Sequence, residues 1–463
     1  MIGPFKKRTP HPHPLPSSGE REFRAVLMAL IGLTLMSCQP KSDVTEVTVQ
    51  RIFGECRANV PQGQAPIKNP DGECEVVTHL LDEFQKANPD IKLKVNIAPW
   101  PGYDQLSAQF ASGDPPDIAT MHMSAMPDFA SRGLIEPLDG GFKEVSLDVD
   151  NFTPAARNGV TIDGQVYGMP FDNWTQLWHV NMNLFAKAGL VRDGQPILPR
   201  NPDELLAQAR QFKAKTGLPY LLQPTDNERA AFTRNLFTYL LDQKAVVFSD
   251  PKTIRLNTPE ARRIVNLFKQ IYAEGLMAPG QDYPAAMAAF LNGEGGICLV
   301  GTWMIGTFEA EANTAGRPLY QGYTVKPYPM LYGTEQAAFV DGHAWVMPKR
   351  DRTPAERAAV LKLMKFLQVH DYDWARTGHL PTQKDVAQSA QYLSLPHRND
   401  IVALASTGKT LPAGVERQFA IQDIVGDEMA SAIRGHKSVD AALSDAEHRV
   451  NDLLFHVLSR QDR

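Results

Sequence analysis

Two hydrophobic periods organise the chain. Ile91, Leu93, Val95 and Ile97 alternate with Lys92, Lys94 and Asn96, the period of a half-buried strand, and residues 47–53 read as an earlier strand. Between them, across residues 75–87, Val76, Val77, Leu80, Leu81 and Phe84 recur at helical spacing until Asn88-Pro89 stops the helix. A helix through Tyr103, Leu106 and Phe110, a turn at 113–116 and a strand at 117–121 follow. Alternating strands and helices predict an α/β fold with an open sheet whose ligands sit beyond the strand ends. From Asn201 the pattern is mainly helical. Asn201-Pro202-Asp203-Glu204, Thr258-Pro259-Glu260 and Thr353-Pro354-Ala355-Glu356 each read as a cap with proline in the first turn. Strands are expected at 296–300 and 343–347.

The stretch 165–190 stands at the centre of this pattern. A short strand over 166–170 is expected to break into polar and aromatic residues before a helix at 183–190 that Gly189 stops. Within that break, Asp172, Asn173, Trp174, Gln176 and Trp178 place a carboxylate, two amides and two indoles close together. Sugars demand this mixture, because their hydroxyls need planar hydrogen-bonding groups and their C–H faces lie flat on aromatic rings. Asp172 is expected to touch ligand, the alternative being a cap or turn. Trp174 and Trp178 stand four apart and fit a core pair equally; Trp174 is assigned to a cleft and Trp178 to packing.

At 463 residues the chain exceeds the size at which one core keeps growing, so two or more domains are expected. Hydrophobic residues at 43% and charged residues at 21% place it among soluble globular chains. A formal charge of −5 without a basic stripe makes nucleic acid a poor partner.

Lys6, Lys7, Arg8, Arg21 and Arg24 precede an apolar run at 25–36 that ends in Leu35-Met36-Ser37-Cys38. This reads as a signal peptide, too short to span a bilayer as a mature helix. Its ending resembles a bacterial lipobox, which implies lipidation of Cys38 and an exported chain anchored on the periplasmic or cell-surface face. Export alters the reading of Cys56 and Cys74, which flank a Gly/Pro/Asn-rich stretch. A bridge there is favoured over free thiols and would stabilise by about 3 kcal/mol. Cys298, in an apolar run, reads as a buried side chain.

Five passages carry a resemblance. Residues 80–128 (LLDEFQKANPDIKLKV…FASGDPPDIATMH), 165–190, 287–309 (MAAFLNGEGGICLVGTWMIGTFE), 341–349 (DGHAWVMPK) and 374–383 (WARTGHLPTQ) resemble, in order and spacing, the family 1 extracellular solute-binding proteins of ABC importers. That group includes maltose-binding and other sugar-binding proteins. The resemblance implies a monomeric, two-lobed periplasmic-binding-protein-like fold (type II), each lobe an open sheet flanked by helices. It places a signal peptide at 1–38, a tether at 39–46, one lobe at 47–170 with 327–372, and the other at 171–326 with 373–463. Crossings are expected near 170–171, 326–328 and 372–374. The implied partners are a carbohydrate, an ABC permease with its ATPase subunits, and the membrane through the lipid anchor; no cofactor or metal is expected.

Family positions also nominate His122 in a first-lobe contact loop, Trp303 as an aromatic platform whose flanking glycines admit ligand, and Gly342 where small residues expose backbone to ligand; His343 departs from that pattern and serves either polar selectivity or a local hydrogen bond. Phe419 matches a late segment that closes over ligand. Glu55, at the end of the first strand, is positioned to bond sugar hydroxyls. Closure is expected to trap ligand between Glu55 and His122 on one lobe and Asp172, Trp174 and Trp303 on the other. Trp100 and Tyr103 either line the cleft or anchor a loop.

Two other functions stand beside this one. An exported glycosidase needs two carboxyls flanking the scissile bond, and Asp172 with Glu309 or Asp341 is the pair to consider. A non-sugar solute such as a polyamine is the other. The run 403–410 mimics a phosphate loop, but Pro412 and Gly414 follow where a long helix is required.

Overall fold

Strand β1 (Thr45–Arg51) lies between two parallel neighbours, β2 (Ile91–Ile97) and β3 (Ile118–His122). The computed structural model describes residues 44–53, 72–226 and 228–461, with side chains described to residue 456. Helix α1 (Glu73–Ala87) joins β1 to β2 and buries Val76, Val77, Leu80, Leu81 and Phe84, the face that the periodicity marks. Helix α2 (Tyr103–Ser112) leads into β3. Thr45 and Glu46, expected in the tether, belong to β1. Cys38, Glu55 and Cys56 lie outside the described residues.

The central stretch departs from its expected form. Residues 168–181 make one continuous strand, β4 (Gly168–Asn181), buried along its whole length. No break follows Pro170. Asp172 and Asn173 are turn formers in isolation, but here their side chains find partners across the sheet, as do those of Thr175 and His179. Thr175 Oγ1 donates to Phe339 O at 2.7 Å, Asn173 Nδ2 to Asp341 O at 3.3 Å, and His179 Nδ1 lies 2.8 Å from Tyr323 Oη. Tertiary pairing therefore overrides the local turn signal. Pro170 is tolerated beside a bulge, where the register slips between His343 and Ala344.

Two short strands enter next, β5 (Leu221–Leu222) and β6 (Ile297–Gly301). They are followed by β7 (Tyr323–Lys326) and β8 (Val340–Val346). The N-terminal half of β4 pairs antiparallel with β8; its C-terminal half pairs with β6 and β7. The result is one eight-stranded mixed sheet, in order β2-β1-β3-β8-β4-β6-β5, with β7 beside β4. Buried clusters divide on either side of the shared strand. Val47, Ile118, Met121, Phe171, Trp345 and Trp374 belong to one. Leu177, Val300, Phe308 and Val325 belong to a second, and Trp178, Tyr220, Phe237 and Phe268 to a third.

The three predicted helix starts form. Asn201 accepts from Glu204 N, Thr258 from Ala261 N, and Thr353 makes a reciprocal capping box with Glu356. The phosphate-loop mimic does not open a long helix: Lys409 instead exchanges backbone hydrogen bonds with Ala338 and Val340.

Asp371, at the start of helix 371–375, is buried and accepts from Thr382 N, Thr382 Oγ1 and Gln383 N at 2.8–3.2 Å. Burial pushes its carboxyl up to about 7 despite those donors. Between the ordinary 3.8 and about 7, the native chain keeps a proton that the unfolded chain has released. Stability therefore falls as pH rises through that window and levels off above it. Urea unfolding across the window is expected to show wild type losing on the order of a few kcal/mol relative to Asp371→Asn. Parallel slopes for the two proteins would refute the assignment.

Candidate ligand-binding cleft

A cleft of about 790 Å³ opens where the two halves of the sheet meet, and residues from both halves line it. Trp174 leaves β4 into it, His122 ends β3, His343 stands on β8, and Trp303 follows β6. Its aromatic side chains brace one another. Trp303 meets Trp174 edge to face at 5.4 Å, and its Nε1 donates to Tyr283 Oη at 2.7 Å. Phe419 packs edge-on against His122 at 4.9 Å. Trp100, 60% exposed, stands 6.4 Å from Phe419 and offers a free ring to the cleft.

A polar ladder forms the wall beside these rings. The register sets Asp172 opposite His343 and His343 opposite His122, on three adjacent strands. His343 Nδ1 lies 2.9 Å from both oxygens of Asp172, which also accept from His343 N at 3.0 Å and Trp374 Nε1 at 2.9 Å. His343 Nε2 is 3.2 Å from His122 Nε2, and His122 Nδ1 is 2.6 Å from Tyr103 Oη. Burial works to raise Asp172, yet the positive field of His343 and His379 and the bonds from His343 and Trp374 hold it below the usual carboxylate range. Burial likewise opposes charge on His343, but Asp172 outweighs it and holds the imidazole above its ordinary value. His122 is driven well below, by burial and then by the charges of His343 and Arg234. The two Nε2 atoms are close enough for one imidazole to donate to the other.

The opposite wall carries Arg234 from helix α3 (Ala230–Asp242), its guanidinium 5.0 Å over the Trp174 ring and bonded to Glu228 at 2.5 Å. Glu73 and Asp423 also line the cleft. Burial raises both carboxyls above the usual range, with Asp427 adding to the rise at Asp423.

The structure brings His122, Trp174, Trp303, His343 and Phe419 onto one surface. Asp172, Asn173 and Gly342 lie behind it, as buried partners of the wall and not as lining residues. Gly342 serves packing, since a Cβ there would strike the Asp172 carbonyl. Gly301 makes room for the folded-back Trp303 ring, which a Cβ there would strike. Asp172 also sits on the same half of the sheet as His122, not across the cleft from it. Neither imagined catalytic pair forms: Asp341 is engaged by Ser124 at 2.5 Å behind the wall, and Glu309 by His397 at 2.9 Å elsewhere.

Tyr283, Arg234, Glu73, Glu228, His379, Gln422 and Asp423 line the cleft without having been singled out. His379 was legible in part, as a histidine inside one of the five passages. Arg234 had a faint signal, a lone cation within the apolar face of residues 231–240.

A family profile described as bacterial extracellular solute-binding protein matches residues 76–373. A binding protein of Brucella abortus is 24% identical over 443 residues, covering 94% of this chain and 99% of its own. The arabinooligosaccharide-binding protein of Bacillus subtilis is 24% identical over 79% of this chain and 81% of its own. Among solved structures, the cyclic alpha-maltosyl-1,6-maltose binding protein from Arthrobacter globiformis is similar with a TM-score of 0.72 and 22% identity, over 89% of this chain and 99% of that one. At that identity the likeness carries the fold, a two-lobed α/β architecture.

Proposed function

The chain belongs to the bacterial extracellular solute-binding proteins, a family of binding proteins and not of enzymes, and from that premise we propose that it captures a di- or oligosaccharide or glycoside and delivers it to an ABC permease. The observation that carries this reading is the cleft lining: Trp100, Trp174, Trp303 and Phe419 interleaved with His122, His343 and Gln422 in a volume large enough for more than one sugar ring. Rings supply flat faces for sugar C–H groups, and imidazoles and amides bond hydroxyls of either polarity. Relatives that carry oligosaccharide names support the class.

The charge balance supports a second reading on the same scaffold. Glu73, Glu228 and Asp423 outnumber Arg234 along the walls, which suits a cationic solute or an amine-bearing sugar and disfavours an anionic one.

In this proposal the chain is an exported lipoprotein, anchored through Cys38, acting as a monomer. A Cys56–Cys74 bridge and a contact from Glu55 to sugar hydroxyls belong to the same reading. The lobes of this reading are 47–170 with 327–372, and 171–326 with 373–463, with the crossings shifted a few residues onward because Phe171, Asp172 and Trp374 side with β3 and β8. Closure brings the His122–His343 wall toward Trp303 and Arg234, and ligand favours the closed form because both sets of contacts exist only there.

Thermal unfolding against a panel of oligosaccharides, amino sugars, polyols and polyamines, with chromatography of the recovered solute, tests the proposal. The cognate carbohydrate is expected to stabilise by about 2.7 kcal/mol at a hundredfold excess over Kd and to return unchanged. A shift with polyamines alone would sink the sugar assignment.

A further inference from the structure

We propose that Glu73, Asp172, His343 and His379 form a site for a divalent zinc ion on the wall of the cleft. One donor atom from each of Asp172, His343 and His379 lies within 4.8 Å of the others, and all three residues are buried. His343 Nδ1 is 2.9 Å from Asp172 Oδ2, and His379 Nε2 is 4.0 Å from that same oxygen. Glu73 Oε1 is 3.2 Å from His379 Nε2. Two imidazoles and two carboxylates make a ligand set that suits tetrahedral zinc, around which the side chains would draw in to bonds of about 2.0–2.2 Å.

Two observations point to an ion and not merely to a polar cluster. The first is the His379 Nε2 atom itself, which makes no hydrogen bond although the residue is only 1% exposed. It faces Glu73 and Asp172, where a cation would satisfy all three. The second is the way the ligands' remaining atoms are held. His379 Nδ1 lies 3.0 Å from Thr377 Oγ1, which in turn donates to Trp374 O at 2.7 Å. His343 Nε2 faces His122, and Asp172 accepts from Trp374 Nε1 and His343 N. Metal-bound histidines show this arrangement, with the free ring nitrogen pinned by an outer partner that fixes tautomer and orientation. An ion there would also bridge Glu73 and Asp172, the two carboxylates that converge on His379. Because Glu73, His343 and His379 line the cleft, the ion would be reached from it and could meet a ligand oxygen there. The sequence signals no such site, since the four donors are drawn from α1, β4, β8 and the segment after helix 371–375 and share no ligand spacing.

The test is a titration of zinc, and of cobalt as a spectroscopic probe, into the untagged, chelator-treated full chain without carbohydrate. One equivalent of zinc is expected to bind with a submicromolar Kd, and cobalt to give the intense visible absorption of a tetrahedral site. Thr377→Val is expected to weaken binding about 10–100-fold, the range seen when an outer partner is lost. Glu73→Gln, at the start of α1, weakens it while circular dichroism stays unchanged. His11→Ala with His13→Ala, which removes histidines of the leader, leaves it intact. Millimolar binding by wild type, or unaltered affinity in both Thr377→Val and Glu73→Gln, would overturn the proposal. Failure here leaves the carbohydrate reading standing, because the titration never uses a sugar.

Discussion

Replacing Asp172 with alanine is expected to lower the stability of the chain by about 3–5 kcal/mol, the cost of stranding the partner of a buried charge pair. The carboxylate is fully buried and holds three donors: the His343 backbone N–H, His343 Nδ1 and Trp374 Nε1. None of them has water to turn to. Trp374 stacks on Phe171 at 4.4 Å and meets Phe53 at 4.7 Å, so its indole cannot swing away to find another acceptor. His343 loses the charge that holds its imidazole above the ordinary range. Asp172→Asn keeps the shape and one acceptor but sets an amide against the imidazole, and is expected to cost about 1–3 kcal/mol. Urea unfolding followed by circular dichroism measures both. A loss under about 1 kcal/mol in the alanine variant would show that the wall is held by packing alone.

The second large effect falls on binding. Trp303→Ala is expected to weaken the cognate carbohydrate by about 2 kcal/mol or more, roughly thirtyfold in Kd. Trp303 is half-buried, braced by Trp174 and by its bond to Tyr283, so it presents a ring to the cleft at little entropic cost on binding. Removing it frees the Tyr283 hydroxyl to water, so stability should change far less than affinity. Trp303→Phe keeps the face and loses the N–H, and is expected to recover most of the binding. Isothermal calorimetry with the solute found in the thermal screen decides the matter. Equal affinities for wild type and Trp303→Ala would remove the tryptophan from the recognition surface.

The first three strands, the helices between them and the capped helices after Asn201 were legible because each is fixed by short-range chemistry: alternation, helical spacing, a cap beside a proline. The strand β4 was misread for the same reason. Asp172 and Asn173 look like a turn when judged by their own preferences, and only β8 on one side and a bridge from Asn173 to Leu380 on the other, both from far along the chain, supply partners that keep them extended. That error also moved the expected site. At the end of a short strand Asp172 would face the cleft, whereas inside β4 it lies behind the wall that His343 presents.

Aromatic anchors could be picked out one by one, since Trp174, Trp303 and Phe419 stand in passages that resemble a known family. Of their polar companions, His122 and His343 stand out in the same way, whereas Glu73 and Arg234 do not, and His379 does so only as a histidine within a matching passage. Glu73 opens helix α1, Arg234 sits in an apolar helix and His379 follows helix 371–375, and each acquires meaning only through a side chain from another part of the chain.

The amino-acid sequence by itself determined the α/β class, the helical second half and the kinship, because these depend on periodicity and on order along the chain. The tertiary structure alone decided that one strand serves both halves of the sheet, that Asp172 supports the cleft instead of lining it, and that two histidines and two carboxylates converge on its wall. Those facts depend on register and distance between remote segments, which local preference does not encode.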